Sequence, residues 1–184
     1  MKTNTILKSL AVGIAIATIF AFSQATDRSV KSSSVSFVIK NAGFDVDGTF
    51  KNLKVNTFKF DKDSLSSSKI DVTIDATTVN TGNTKRDNHL NQEEYFNAAA
   101  YPTIRMKSKR FALAKAGNVI GYFDLTIKGV TKEVKFPIYV TTTSSGTTFT
   151  NKGQLTINRL DYKVGESSFV LSDDAKISIE VKTN

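Results

Sequence analysis

"GYFDLTIKGVTKEVKFPIYV", residues Gly121–Val140, is the stretch that decides the fold. Phe123, Leu125 and Ile127 alternate with Tyr122, Asp124 and Thr126; Lys128-Gly129 interrupts the run; Val134, Phe136, Ile138 and Val140 then alternate again. Successive side chains of a strand point to opposite faces, so each half has one apolar and one wetted side. Two such runs flanking a glycine turn read as antiparallel neighbours. Pro137 cannot donate a ladder hydrogen bond and marks an edge, a bulge or a strand end.

The same period of two recurs on both sides of this stretch. Val35, Phe37 and Ile39 share a face in "SVSFVIK", as do Phe58 and Phe60 in "NTFKF" and Ile70, Val72 and Ile74 in "KIDVTID". Ile104 with Met106, Leu155 with Ile157, and Ile177 with Ile179 and Val181 continue the pattern. Turn signals fall at Asn41-Ala42-Gly43, Asp47-Gly48, Asp61–Ser64, Ala116-Gly117-Asn118 and Ser144-Ser145-Gly146.

The fold expected is all-β: an antiparallel, lipocalin-like barrel of about eight strands, with a short helical insert near residues 86–97. Strands with one oily face must bury it, and closing the sheet on itself does so while removing exposed edges, which favours a barrel over a two-sheet sandwich. Eight or so strands enclose either packed side chains or one small apolar ligand. By parity, the side chains turned toward that interior are Phe37, Ile39, Phe58, Phe60, Ile70, Val72, Ile74, Ile104, Met106, Phe123, Leu125, Ile127, Phe136, Ile138, Leu155 and Ile157, with Phe96 from the insert.

The ends set the compartment. Lys2 and Lys8 precede an apolar run from Leu10 to Phe22, and Ser23-Gln24-Ala25 follows with small residues at both cleavage-determining positions. This is the layout of a secretory leader over residues 1–25, leaving residues 26–184 as one domain that is periplasmic or secreted. The run is shorter than the roughly 18 apolar residues of a spanning helix. The chain has no cysteine, so packing alone must hold it in an oxidising compartment.

A formal charge of +8 falls to +6 without Lys2 and Lys8, and the remaining lysines are scattered along strands and turns. Nucleic-acid binders concentrate Arg and Lys among aromatics, a pattern absent here, so no nucleic-acid partner is expected. Transient contact with an anionic membrane surface and a homodimer are both left open.

Between Thr78 and Ile104 the alternation stops, and "TVNTGNTKRDNHLNQEEYFNAAAYPTI" carries the single histidine, His89. "NHLNQEEYF" reads as a short helix capped by Asn88 and ended by Pro102, an insert able to lie across a barrel mouth. As a zinc ligand, His89 would have only carboxylates for company, a poor match to zinc coordination. As a general base it would need a nucleophile, and no nucleophile-elbow pattern occurs. The remaining reading is structural: Arg86, Asp87 and His89 tie the loop to the helix start and the rim. Asp45, Asp47, Asp61 and Asp63 read as turn residues rather than a calcium loop, and no phosphate-cradling glycine loop occurs.

"NAGFDVDGTF", "TVNTGNTKRDNHL", "EYFNAAAYPTI", "DLTIKGVTKEV" and "INRLDYKVG" stand in the order found in YceI-like proteins, an exported polyisoprenoid-binding family, which the chain resembles from about Val35 to Val181. The most specific element is the T-G-x-x-x-R-D-x-H-L run, Thr81 to Leu90. The resemblance implies a lipocalin-like barrel whose interior holds the chain of a quinone or polyprenol, a non-covalent ligand without any cofactor. It assigns Arg86, Asp87 and His89 a structural role. The chain departs from the pattern where many members carry an Asp-x-x-His-Ser start and a histidine after the first strand; here stand Lys31-Ser32-Ser33-Ser34 and Asn41. The function expected is non-enzymatic binding, as carrier or store, of a polyisoprenoid or quinone-like lipid. Two rivals are a small-molecule enzyme using His89 and nearby carboxylates, and a stress or adhesion protein with a filled barrel.

Overall fold

The computed structural model describes residues 29–184; the leader assigned to residues 1–25 lies outside them. Ten antiparallel strands follow one another: β1 (Val30–Asn41), β2 (Phe44–Phe50), β3 (Lys54–Lys59), β4 (Lys69–Asp75), β5 (Thr103–Leu113), β6 (Val119–Ile127), β7 (Val130–Thr143), β8 (Gly146–Thr150), β9 (Leu155–Asn158) and β10 (Leu171–Thr183). One helix, α1 (Thr84–Leu90), interrupts them between β4 and β5. The hydrogen-bonded order is β2-β1-β10-β8-β7-β6-β5-β4-β3, with β9 paired to β10.

The hairpin that opened the reading is present. Ile127 pairs with Val130 across Lys128-Gly129, whose φ values of 49° and 74° are both positive, as the tightest hairpin turns require. β7 pairs with β6 as far as Ile138 and with β8 from Tyr139 onward. Pro137 therefore sits where the strand passes from one ladder to the next, a position at which a missing N–H costs little.

The strand count exceeds the expected eight by β2 and β8. Asp47-Gly48 is no turn: Gly48 lies inside β2, opposite Phe37. A Cβ at Gly48 would come within 2.1 Å of the Phe37 ring, so the glycine is there to let the ring lie across the backbone. Asp45 and Asp47 belong to the same strand, and Asp45 accepts a 2.9 Å hydrogen bond from Lys40 on the outer face.

The ends of the sheet path, β2 and β3, are consecutive in sequence, joined by Lys51-Asn52-Leu53 with Asn52 at φ 59°. Beside this corner the backbones of Thr49 and Asn80 exchange hydrogen bonds of 2.8 and 2.9 Å, and the Thr78 hydroxyl meets both Lys51 N and Lys51 O at 3.0 Å. Register shifts in β1, β3 and β5 bend the strands and increase their twist. The sheet thus wraps round one interior: Phe58 of β3 reaches Phe149 of β8, ring centroids 4.8 Å apart.

Interior packing is uneven. At one end Phe58, Phe149, Phe60, Phe111, Phe123 and Phe136 form a continuous chain of ring contacts, each centroid separation between 4.8 and 5.8 Å. Phe123 is 1% exposed and stacks on Phe136. Rings at these separations add specific attraction to their large burial, so this end is a solid plug. On the outer face Arg105 pairs with Asp71, whose carboxyl it holds below the usual range, and Lys109 does the same to Glu133 at 2.9 Å.

Candidate ligand-binding site

Beyond the plug the interior opens into a cavity of about 270 Å³. Pockets for small molecules typically run from roughly 300 to 1,000 Å³, so this one suits a slender ligand. Seven strands line it: β1 with Val35, Phe37 and Ile39, β2 with Val46 and Phe50, β4 with Val72 and Ile74, β5 with Ile104 and Met106, β6 with Leu125 and Ile127, β9 with Leu155 and Ile157, and β10 with Ala175, Ile177 and Ile179. Phe96 joins them from the insert, its ring 5.6 Å from Phe50, which in turn lies 5.7 Å from Phe37.

Six side chains expected at the cavity are elsewhere. Phe58, Phe60, Ile70, Phe123, Phe136 and Ile138 do not line it; they are buried in the core at the plugged end. Parity had correctly turned them inward, but it carries no information about position along the barrel axis, and the aromatic contacts consume the space there. Val46 and Phe50 line it from β2, a strand that the turn signal Asp47-Gly48 masks in the sequence. Arg159, Tyr162 and Val164 also line the cavity, from a segment without alternation, as does Leu171 at the start of β10.

Polar groups gather at one end of the cavity: Asn41, Thr81, Arg86, His89, Arg159 and Tyr162. α1 begins at Thr84, not near residue 86, and it ends at Leu90 rather than continuing to 97. Asn83, not Asn88, caps it, its side-chain oxygen accepting from Arg86 N at 3.1 Å. Beyond Leu90 the chain breaks into turns, with Asn97 in the left-handed region at φ 47°.

Arg86 and Asp87 clasp Thr81. The Asp87 carboxylate accepts from Thr81 N at 2.9 Å and from the Thr81 hydroxyl at 2.6 Å. Arg86 donates Nε to that hydroxyl at 2.7 Å and Nη2 to the Thr81 carbonyl at 2.9 Å. These bonds fold the loop back onto the first turn of α1, as ionised groups do well. His89 is more than half exposed, with Nε2 3.2 Å from a Glu94 carboxylate oxygen and its ring edge-on to Tyr95 at 4.9 Å. Among the described residues no group of three or more His, Cys, Asp or Glu stands close enough to hold a metal ion.

Beside the insert a 3-10 turn, Arg159–Tyr162, supplies a buried arginine, and Gly165 N donates to Glu94 O at 2.8 Å. Arg159 Nε donates to Ser172 O at 2.9 Å, Nη1 to Val164 O at 2.9 Å, and Nη2 to Glu166 O at 2.7 Å and Asp173 Oδ1 at 3.0 Å. A guanidinium so satisfied holds the loop before β10 rather than reaching for a ligand. Burial pushes the Tyr162 phenol up to about 12, with a smaller contribution from Asp161. A neutral phenol therefore faces the cavity at ordinary pH.

This site sits in a recognisable sequence frame, since the family model described as YceI-like domain matches residues 27–183. The chain belongs to the YceI-like family. Protein YceI of Escherichia coli O6:H1 is 36% identical over 110 residues, which are 59% of this chain and 56% of that protein. The chain thus aligns with little more than half the length of the curated relatives it matches. Among solved structures, Burkholderia cenocepacia BcnA superposes with a TM-score of 0.75 at 25% identity, covering 83% of this chain and 96% of BcnA. The Campylobacter jejuni YceI protein gives 0.65 at 32% identity, covering 76% and 85%. A polyisoprenoid binding domain from Saccharophagus degradans, implicated in plant cell wall breakdown, gives 0.65 at 18% identity over 86% and 98%, a likeness that concerns the fold.

Proposed function

We propose that this YceI-like protein binds the hydrocarbon chain of a polyisoprenoid or isoprenoid quinone inside its sheet, as an exported, non-catalytic carrier or store. The observation that carries this reading is the division of the interior: one end is plugged by phenylalanines, while the other holds a cavity of about 270 Å³ walled by aliphatic and aromatic side chains. The Saccharophagus degradans domain of like fold, a polyisoprenoid binding domain, supports the ligand class.

The chemistry needs no reacting group. Each methylene or methyl withdrawn from water contributes about 0.8 kcal/mol, so a few isoprene units offset the cost of immobilising the chain. The open cavity speaks against an interior filled throughout. The contacts of His89 with a carboxylate and an aromatic ring suit a rim residue; they offer no nucleophile to activate. Of the polar groups lining the cavity, Asn41 and Tyr162 take no part in the Thr81 clasp or the Arg159 network and are left for a headgroup, and the small volume favours the terminal part of a long chain or a short ligand.

Extraction of protein purified from its native host, followed by mass spectrometry, tests the reading. An isoprenoid recovered in stoichiometric amount is the expected result. Lipid-free protein that also fails to take up quinones and polyprenols would overturn it.

A further inference from the structure

The inward-facing rows of β1, β2 and β10 do not stop at the end of the cavity. In β2 the row runs Phe50, Val46, Phe44 opposite Val35, Ile39 and Asn41 of β1. On the other side of β1, Asn41 pairs with Leu171. Cross-strand partners share a face, so Phe44 belongs to the same face as Asn41 and Leu171, both of which line the cavity. Phe44 is nevertheless 77% exposed, and the residues preceding Leu171 are too: Phe169 fully and Val170 to 58%. The two loops that carry them are fastened together, Ala42 N donating to Val170 O at 2.7 Å. An apolar stripe thus leads from inside the protein onto a water-exposed lip.

We propose that this lip, Phe44 with Phe169 and Val170, inserts into a lipid bilayer and brings the cavity mouth against it, so that an isoprenoid chain passes between membrane and protein without crossing water. The inference rests on the proposed function for its purpose, though not for its geometry. Two loop tips suit a bilayer better than a second copy of the chain. Two phenylalanines offer about 300–500 Å², and with one partly exposed valine they still fall below the approximately 800 Å² per partner that stable complexes bury. Charge does not supply the attraction. Two ionic pairs at this end are closed locally, Lys40 with Asp45 at 2.9 Å and Arg159 with Asp173 at 3.0 Å, and Lys128 Nζ is taken up by the carbonyls of Glu94 and Lys163 at 3.3 and 2.8 Å. Docking is therefore apolar and insensitive to salt, unlike the attraction of a polybasic segment to anionic lipid.

Leu113, 67% exposed at the far end of β5 beside the plug, provides the control. The experiment compares the protein with Phe44→Ser/Phe169→Ser and Leu113→Ser variants in flotation on phosphatidylcholine vesicles, and in transfer of a polyprenol from those vesicles. Flotation should drop roughly tenfold or more for the double serine variant, as the lost apolar burial implies, and remain unchanged for Leu113→Ser and in high salt. Transfer should slow to match, while uptake of the same polyprenol presented in cyclodextrin stays at the wild-type level. Failure of cyclodextrin uptake by the wild-type protein would count against the proposed function; flotation reads the lip independently. Wild-type flotation that is absent, that matches the double variant's or that disappears in salt would overturn the docking proposal. So would a dimer in sedimentation that the double substitution dissolves.

Discussion

At the scale of single residues, Gly48 shows how the cavity is shaped by what a position omits. The Phe37 ring lies across it and borders the cavity, and Gly48→Ala would push that ring off the backbone toward the cavity. Overpacking usually costs about 1–3 kcal/mol, and free space beside the ring places this substitution near 1 kcal/mol. Binding should suffer more than folding: thermal denaturation shifting by a few degrees, with ligand affinity falling at least tenfold. Arg159 should behave in the opposite way. Its removal leaves the buried Val164 carbonyl and the partly exposed Asp173 carboxylate without their donor, so Arg159→Met should cost about 1–3 kcal/mol in denaturant unfolding. Tyr162 sets the alkaline limit. Burial raises its pKa from the ordinary 10.0 to about 12, so the folded state holds the proton more tightly than the unfolded chain. That contribution is complete below pH about 10 and is lost as pH rises from about 10 to about 12. A near-ultraviolet absorbance titration should find one of the five tyrosines ionising well above the ordinary tyrosine range.

At the scale of elements, what the sequence disclosed depended on the period. β1, β4, β5, β6 and β10 alternate cleanly and were read as strands, and Lys128-Gly129 reads as the turn between β6 and β7. β2 was missed because Asp47-Gly48 carries turn chemistry; only the ring of Phe37, distant in sequence, explains the glycine. The insert was placed correctly, but its helix begins earlier and ends sooner, since Asn83 caps it and the following turns are held by contacts no local pattern encodes. Arg159 and Tyr162 went unnoticed for the same reason. The Thr81 clasp makes a prediction at this scale. Asp87→Ala removes two hydrogen bonds to a charged acceptor and should cost about 1.5 kcal/mol or more. Hydrogen exchange would localise the loss to residues 78–100, with the strands keeping their protection.

At the scale of the molecule, the division into a plugged end and an open end is the feature the sequence hid. Inward parity told which side chains face the interior, yet Phe123 and Leu125, two residues apart on β6, meet different surroundings: one is stacked among aromatic rings, the other borders the cavity. The two ends should respond differently to substitution. Phe123→Ala should cost about 3–5 kcal/mol, as large-to-small changes at buried aromatics do. Ala175→Trp, at a cavity wall, should cost less and fill the space instead.

Native mass spectrometry of the protein incubated with a polyprenol or an isoprenoid quinone measures most directly whether the cavity receives such a chain. A one-to-one adduct should form with the wild-type protein, survive Phe123→Leu at the plug and disappear with Ala175→Trp at the cavity wall. A wild-type protein that forms no adduct with either lipid, or an Ala175→Trp variant that binds as well as wild type, would contradict it.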